Sequence, residues 1–169
     1  MKKLAIGVLG LALAAPMGAQ NSLPATDVTG AEIQAFLKSL PRDTVTDKAI
    51  KTVDVGGYRV GVFGVFRPKT QPGDANRHDT KVTEIYYILD GGGVLVTGGR
   101  MVDEHKRQTT IGHVSYQAPK IEGGVTRHVA KGDVIIIPGN TPHWFSSLDA
   151  DTTYLIYRPD PEGTLPLTK

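Results

Sequence analysis

The residues that could carry chemistry fall in two separated stretches. In the first, His78–Gly91 (His-Asp-Thr-Lys-Val-Thr-Glu-Ile-Tyr-Tyr-Ile-Leu-Asp-Gly), an imidazole and a carboxylate, His78 and Glu84, open a strongly β-forming run. In the second, Gly132–His143 (Gly-Asp-Val-Ile-Ile-Ile-Pro-Gly-Asn-Thr-Pro-His), an apolar strand ends in a turn and a second imidazole, His143. If folding brings the two stretches together, they hold one divalent metal. The chain contains no cysteine. A thiolate metal site, a disulfide framework and a cysteine nucleophile are therefore excluded, and any metal must be held by N and O donors.

The elements that must position these groups can be read from periodicity. Thr29-Gly30-Ala31-Glu32 has the form of a capping box, in which hydroxyl and carboxylate satisfy free N–H groups at a helix start. Ile33, Phe36, Leu37 and Leu40 then recur at helical spacing until Pro41 ends the pattern, which predicts one short helix. From Val45 onward the pattern is β. Gly56-Gly57 is a hairpin signal between Ile50–Val55 and Tyr58–Arg67, and Gly61 and Gly64 predict a bend or bulge in the second arm. Strands are expected over Glu84–Leu89 and Val94–Thr97, with Gly91-Gly92-Gly93 as a hairpin turn. These glycines are not a phosphate cradle, because no helix follows them.

Gly98–Gly124 is polar, with a weak strand at Val114–Gln117. A connection of that length is expected to act as a lid, an insertion hairpin or a flexible loop. Val125–Ala130 alternates, Val134–Ile137 reads as a buried strand, and Thr152–Arg158 as the last β run. Many short strands, frequent glycine and one flanking helix define an all-β sandwich or barrel. Tyr86 and Ile88 share the parity of Glu84, so all three are expected to face one interior.

The 169 residues suit a single domain with a sizeable core. Lys2 and Lys3 precede an apolar run, Leu4–Ala15, and a small residue, Ala19, at a plausible cleavage point. This is the pattern of a signal peptide over residues 1–19, implying a periplasmic or secreted protein. The run is shorter than the roughly 20 residues of a membrane span, so no stable span is expected after processing. An N-terminal arm and helix over 20–44, a barrel over 45–160 and a tail over 161–169 complete the expected division. The chain has 19 basic and 17 acidic residues, and loss of Lys2 and Lys3 with the leader would balance them. No basic cluster remains to follow a phosphate backbone, which argues against nucleic acid as a partner.

The two stretches resemble the motifs of the cupin superfamily, whose fold is a double-stranded β-helix or jelly-roll barrel. The first family motif places a His-x-His pair before a Glu and a Gly, and His78, Glu84 and Gly91 fall on it at the family spacing. The second runs from Gly through Pro to His, and is matched by Gly132, Pro138 and His143. The resemblance covers roughly Val53–Arg158 and is similar to that of small single-domain bacterial cupins. This chain departs from the pattern at several points. Thr80 stands where the family has its second His, Pro72 replaces a Gly, and Ser147 replaces the closing Asn. An alternative alignment makes Asn76 the first position and His78 the second, at the cost of a longer gap to Glu84; the Thr80 alignment preserves the family spacing. Asn140 replaces a turn Gly, a mild change because Asn tolerates the left-handed conformation.

By resemblance, His78, Glu84 and His143 form a 2-His-1-carboxylate set that leaves coordination positions open to Fe, Mn, Ni or Zn. Tyr86 and Thr80 follow as candidates for orienting substrate or moving a proton. His128 or His113 are alternative third imidazoles, while His105, among charged neighbours, is expected on a solvated face. Trp144 and Phe145 are expected to lid the barrel mouth. The function implied is that of a metal-dependent enzyme (dioxygenase, decarboxylase, isomerase or lyase) acting on a small organic molecule. The alternative is a non-catalytic cupin that binds a small, sugar-like ligand. The resemblance also implies a homodimer as the expected assembly.

Overall fold

The computed structural model describes residues 22–107 and 113–168, so the expected leader over residues 1–19 lies outside the described residues. Among these, one helix, α1 (Gly30–Ser39), is followed by β1 (Thr46–Asp54), β2 (Arg59–Arg67), β3 (Ala75–Asp79), β4 (Glu84–Asp90), β5 (Gly92–Thr97) and β6 (Arg100–Val102). The chain continues through β7 (His105–Arg107), β8 (Val114–Ala118), β9 (Lys120–Glu122), β10 (Val125–Ala130), β11 (Val134–Ile137), β12 (His143–Leu148) and β13 (Thr152–Asp160). The helix begins where the capping box predicts. Thr29 Oγ1 accepts from the Glu32 N–H, and the Glu32 carboxylate accepts from the Thr29 N–H.

Two sheets face one another. One has the order β1-β2-β13-β4-β11 and the other β10-β5-β12-β3-β8-β7, with β6 and β9 forming a small separate ribbon. Their inner faces enclose an apolar cluster that includes Phe63, Val65, Ile88, Leu95, Val129, Phe145, Leu148 and Ile156. The parity argument holds on β4, where Glu84, Tyr86 and Ile88 are buried and Tyr87 is exposed. On the outer face of the first sheet, α1 lays Leu37 and Leu40 against Phe66. Gly64 permits that approach, since a Cβ there would lie 3.0 Å from atoms of Phe36 and Leu37.

Several expectations are corrected. Gly91-Gly92-Gly93 is not a hairpin turn, because β4 pairs with β11 and β13 while β5 pairs with β10 and β12. The glycines carry the chain from one sheet to the other. Gly91 (φ +77°) crosses so close to the opposite chain that a Cβ would sit 2.4 Å from the Asp151 carbonyl oxygen. The stretch Gly98–Gly124 is more structured than its composition suggests, with β6, β7, β8 and β9 among its described residues. Val134–Ile137 is not buried on both faces: Val134 and Ile136 are 60% and 66% exposed on the outward face of β11, while Ile135 and Ile137 face the core. Phe145 belongs to the core and not to a lid, whereas Trp144 points the other way and donates to the Gly73 carbonyl at 3.0 Å. The chain end is not a free tail either. Leu165 is fully buried, and its N–H is bound by Asp160.

Candidate metal centre

Glu84 is the first residue of β4, and His143 the first of β12. Both occupy the inward register of their strands and both are buried. His78, one residue from the end of β3, joins them from the strand beside β12, so the two histidines come from one sheet and Glu84 from the other. One donor atom from each of the three lies within 4.8 Å of the others. His78 Nε2 stands 3.8 Å from Glu84 Oε1, and His143 Nε2 stands 3.5 Å from Glu84 Oε2. These separations exceed ordinary hydrogen bonds, so the three side chains converge on a common point without closing on one another.

The groups behind them fix this arrangement. The Thr141 carbonyl lies 3.0 Å from His143 Nδ1, and a carbonyl can only accept. His143 therefore carries its proton on Nδ1 and turns a lone pair on Nε2 inward. Ser115, paired across the sheet from His78, sits with Oγ 2.7 Å from His78 Nδ1 and hydrogen-bonds the outer nitrogen of that ring. Glu84 is held on both oxygens. Arg158 Nε donates to Oε1 at 2.8 Å, and the Tyr86 hydroxyl donates to Oε2 at 3.0 Å. Arg158 also pairs with Asp47, at 2.6 Å from Nη2 to Oδ2, and its guanidinium lies over the Phe63 ring.

The electrostatics follow from these contacts. Burial pushes the Glu84 carboxyl up, but Arg158 at contact, with the two imidazoles, outweighs it and holds the group well below the usual carboxylate range. Burial is also the main influence on His78, lowering its pKa to about 3 against an opposing pull from Glu84. The ring is neutral near pH 7, the form in which imidazole binds a metal. Burial and the Glu84 charge push the Tyr86 hydroxyl well above its ordinary value, so it remains a proton donor to Glu84.

The remaining predicted residues divide clearly. Thr80 falls beyond the end of β3, in the turn before β4, where its hydroxyl accepts from the Val82 N–H and faces Glu162. It therefore caps the turn and does not line the cavity beside the metal cluster. The position at inward parity with His78 is Asn76, directly opposite His143 in the ladder. The structure thus follows the alternative alignment, with Asn76 and His78 as the strand pair. Asn76 Oδ1 is buried without a partner. His128 is exposed and bonded to Asp149 at 2.6 Å, well outside the barrel interior. His105 is exposed, as expected. His113 lies beside His78, with ring centroids 5.1 Å apart, and among the described residues neither of its buried nitrogens has a hydrogen-bond partner. Sequence reasoning missed Arg158, although it shares the parity of Tyr154 and Ile156, so a charge on that inward face was a legible signal. Asp47 and Ser115 carried no such mark. Asn140 adopts φ +60°, the left-handed turn conformation its substitution for Gly implies.

No family model matches the sequence, and no curated protein matches it. Solved structures do. An uncharacterized conserved protein with a double-stranded β-helix domain from Klebsiella pneumoniae superposes with a TM-score of 0.50 at 10% identity, over 86% of this chain and 99% of that one. The DMSP lyase DddQ from Ruegeria pomeroyi gives a TM-score of 0.47 at 16% identity, over 92% of this chain and 85% of that one. A cupin-like protein from Thermotoga maritima gives 0.44 at 20% identity, over 73% and 74% of the two chains. At these identities the likeness concerns the fold. The chain has a double-stranded β-helix fold.

Proposed function

We propose that this protein is a metal-dependent enzyme acting on a small organic molecule, with His78, Glu84 and His143 as the ligands of one divalent ion. The observation that carries this reading is the convergence of two Nε2 atoms on a carboxylate, with the outer nitrogens engaged by Thr141 and Ser115. Engagement of the outer nitrogen by a carbonyl or hydroxyl is the usual way an imidazole ligand is oriented. A cavity of about 680 Å³ adjoins the three residues, within the range of small-molecule sites.

Bound there, Fe²⁺, Mn²⁺, Ni²⁺ or Zn²⁺ would supply Lewis acidity toward a substrate oxygen or water. The chain's own groups have separate tasks. Arg158 keeps Glu84 ionised, and Tyr86 orients the same carboxylate from its other oxygen. His113, beside His78, has its basicity lowered first by burial and then by Arg158, but it is not among the residues that line the cavity. The charged opening of the chain and its apolar run Leu4–Ala15 support export to the periplasm or beyond.

One observation favours a second reading, a non-catalytic small-ligand binder: both oxygens of Glu84 are already hydrogen-bonded by Arg158 and Tyr86. Metal analysis of protein purified without chelators separates the two. Near-stoichiometric metal, largely lost in His143→Ala and retained in His105→Ala, is the expected result. Only trace metal, unchanged after adding Fe²⁺ or Mn²⁺, would overturn the enzyme reading. An equal loss in both variants would overturn the ligand assignment.

A further inference from the structure

The cavity beside the three ligands has an excess of positive charge that the protein itself does not neutralise. Four cationic side chains line it, Lys48, Arg67, Arg107 and Arg158, against three acidic ones, Asp47, Asp74 and Glu84. Arg158 takes up two of those acids, since it is bonded to both Asp47 and Glu84. The lining as a whole is therefore one charge positive, and Lys48, Arg67 and Arg107 take no part in the Arg158 pairs.

Arg67 is the informative one. It closes β2, is half-buried, and is held only by neutral acceptors. Its Nε donates to the Tyr154 hydroxyl at 2.8 Å and its Nη1 to the Pro72 carbonyl. Among the described residues no carboxylate pairs with it, and its Nη2 has no acceptor. Its Cζ lies 5.5 Å from the centre of the Phe145 ring, which fixes the guanidinium plane. Half-buried at the cavity wall, the guanidinium leaves its Nη2 edge facing the cavity, and its planar fork suits a carboxylate. Tyr154 links Arg67 to the ligand cluster, because its ring stands 4.8 Å from that of Tyr86, whose hydroxyl bonds Glu84. Lys48 and Arg107 add positive charge along the lining, which draws anions toward the cavity.

We propose that the cavity takes a small organic carboxylate, seated on the free edge of Arg67, and that Arg67 is the specificity-determining residue for that charge. As the substrate class of the proposed enzyme, this rests on the metal reading for its chemistry. The binding itself depends only on the cation and the cavity.

The test uses chelator-stripped protein, so that loss of the metal reading leaves its readout intact. Acetate, malonate, succinate, malate and benzoate are titrated by ligand-observed NMR and calorimetry, each beside its primary amide. The expected result is that at least one carboxylate binds and its amide binds at least tenfold more weakly. Arg67→Met should lower the carboxylate affinity tenfold or more, while Arg67→Lys retains most of it. Arg67→Gln, which keeps donors for Tyr154 and Pro72, gives the same comparison should Arg67→Met fail to fold. Binding by none of the five carboxylates, or equal binding by acid and amide, would overturn the proposal. So would an affinity unmoved by removal of the Arg67 charge. Carboxylate binding by a protein that takes up no metal defeats the metal reading alone, and metal uptake with no carboxylate binding defeats this one alone.

Discussion

The same strands line two interiors of opposite character. Along β4, Ile88 sits in a dry apolar cluster with Leu95, Val129 and Leu148, while Glu84, four residues earlier, faces a polar cavity. Along β13, Ile156 packs in that cluster, and Arg158, the next inward position, bonds Glu84 and Asp47. The dry end needs only shape and apolar surface, which many sequences supply. The wet end needs every polar atom answered, and its members hold one another: Asp47 to Arg158, Arg158 to Glu84, Glu84 to Tyr86. Among the described residues, buried polar atoms without a hydrogen-bond partner occur on Asn76 and His113, near the proposed ligands, and also on Thr52 and Arg59.

This contrast is broken most severely by removing its central cation. Arg158→Met keeps length and some contact with Phe63 but leaves Asp47 and Glu84 without their cationic partner, Glu84 keeping only the Tyr86 hydroxyl. Removing one member of a buried ion pair typically costs about 3–5 kcal/mol, and urea unfolding should show a loss of that order. Adding Glu84→Gln to Arg158→Met should recover part of it, because one of the stranded charges is gone. A single-variant loss no larger than that of an exposed Arg would mean that the polar end is not a coupled network.

Acid should separate the two ends next. His78 has its folded pKa lowered from 6.5 to about 3, so protons bind the unfolded chain more readily between those values. Its contribution to stability is complete above about pH 6.5 and fades as pH falls toward 3. Metal-free protein should thus lose about 2 kcal/mol between pH 7.5 and pH 5 from this group. Glu84, depressed by Arg158, adds its own loss only below its unfolded pKa of about 4.3. The named apolar residues of the dry end do not titrate. His78→Gln should flatten the profile between pH 7.5 and pH 5; an unchanged slope would place the acid sensitivity elsewhere.

How much of this was legible in the sequence follows the same division. Alternation announced the inward face of β4, and the capping box fixed the start of α1, because both signals are local. The spacing of His78, Glu84 and His143 was enough to place them together, since each sits at or near a strand end. The role of Thr80 was misjudged. Preserving motif spacing favoured it, yet β3 stops at Asp79, and only the ladder shows that Asn76 is the inward partner of His78. The glycines after Asp90 look like any hairpin turn, and which sheet β5 joins depends on pairing with β10 and β12 far along the chain. Likewise Val134 and Ile136 read as core, and their exposure follows from their place on the outward face of β11, opposite Ile135 and Ile137. Asp47 could not be found at all, because its importance comes entirely from Arg158, more than a hundred residues away.

The smallest predicted effect isolates a single hydrogen bond at the boundary between the two ends. Tyr86 reaches both, with its ring against Tyr154 and its hydroxyl on Glu84 Oε2. Tyr86→Phe leaves the ring packing in place and removes only the donor. Glu84 keeps Arg158 on its other oxygen, so the stability loss should be about 1 kcal/mol, far below that of Arg158→Met. Metal retention should respond more than stability does, falling by about tenfold, because a ligand carboxylate free to rotate on one side is a poorer ligand. Competition against a graded chelator, run beside urea unfolding, reads both quantities on the same preparation. A variant that loses stability but holds metal as well as the parent would make Tyr86 a core residue only. Weaker metal binding at nearly constant stability would identify it as the group that aims Glu84.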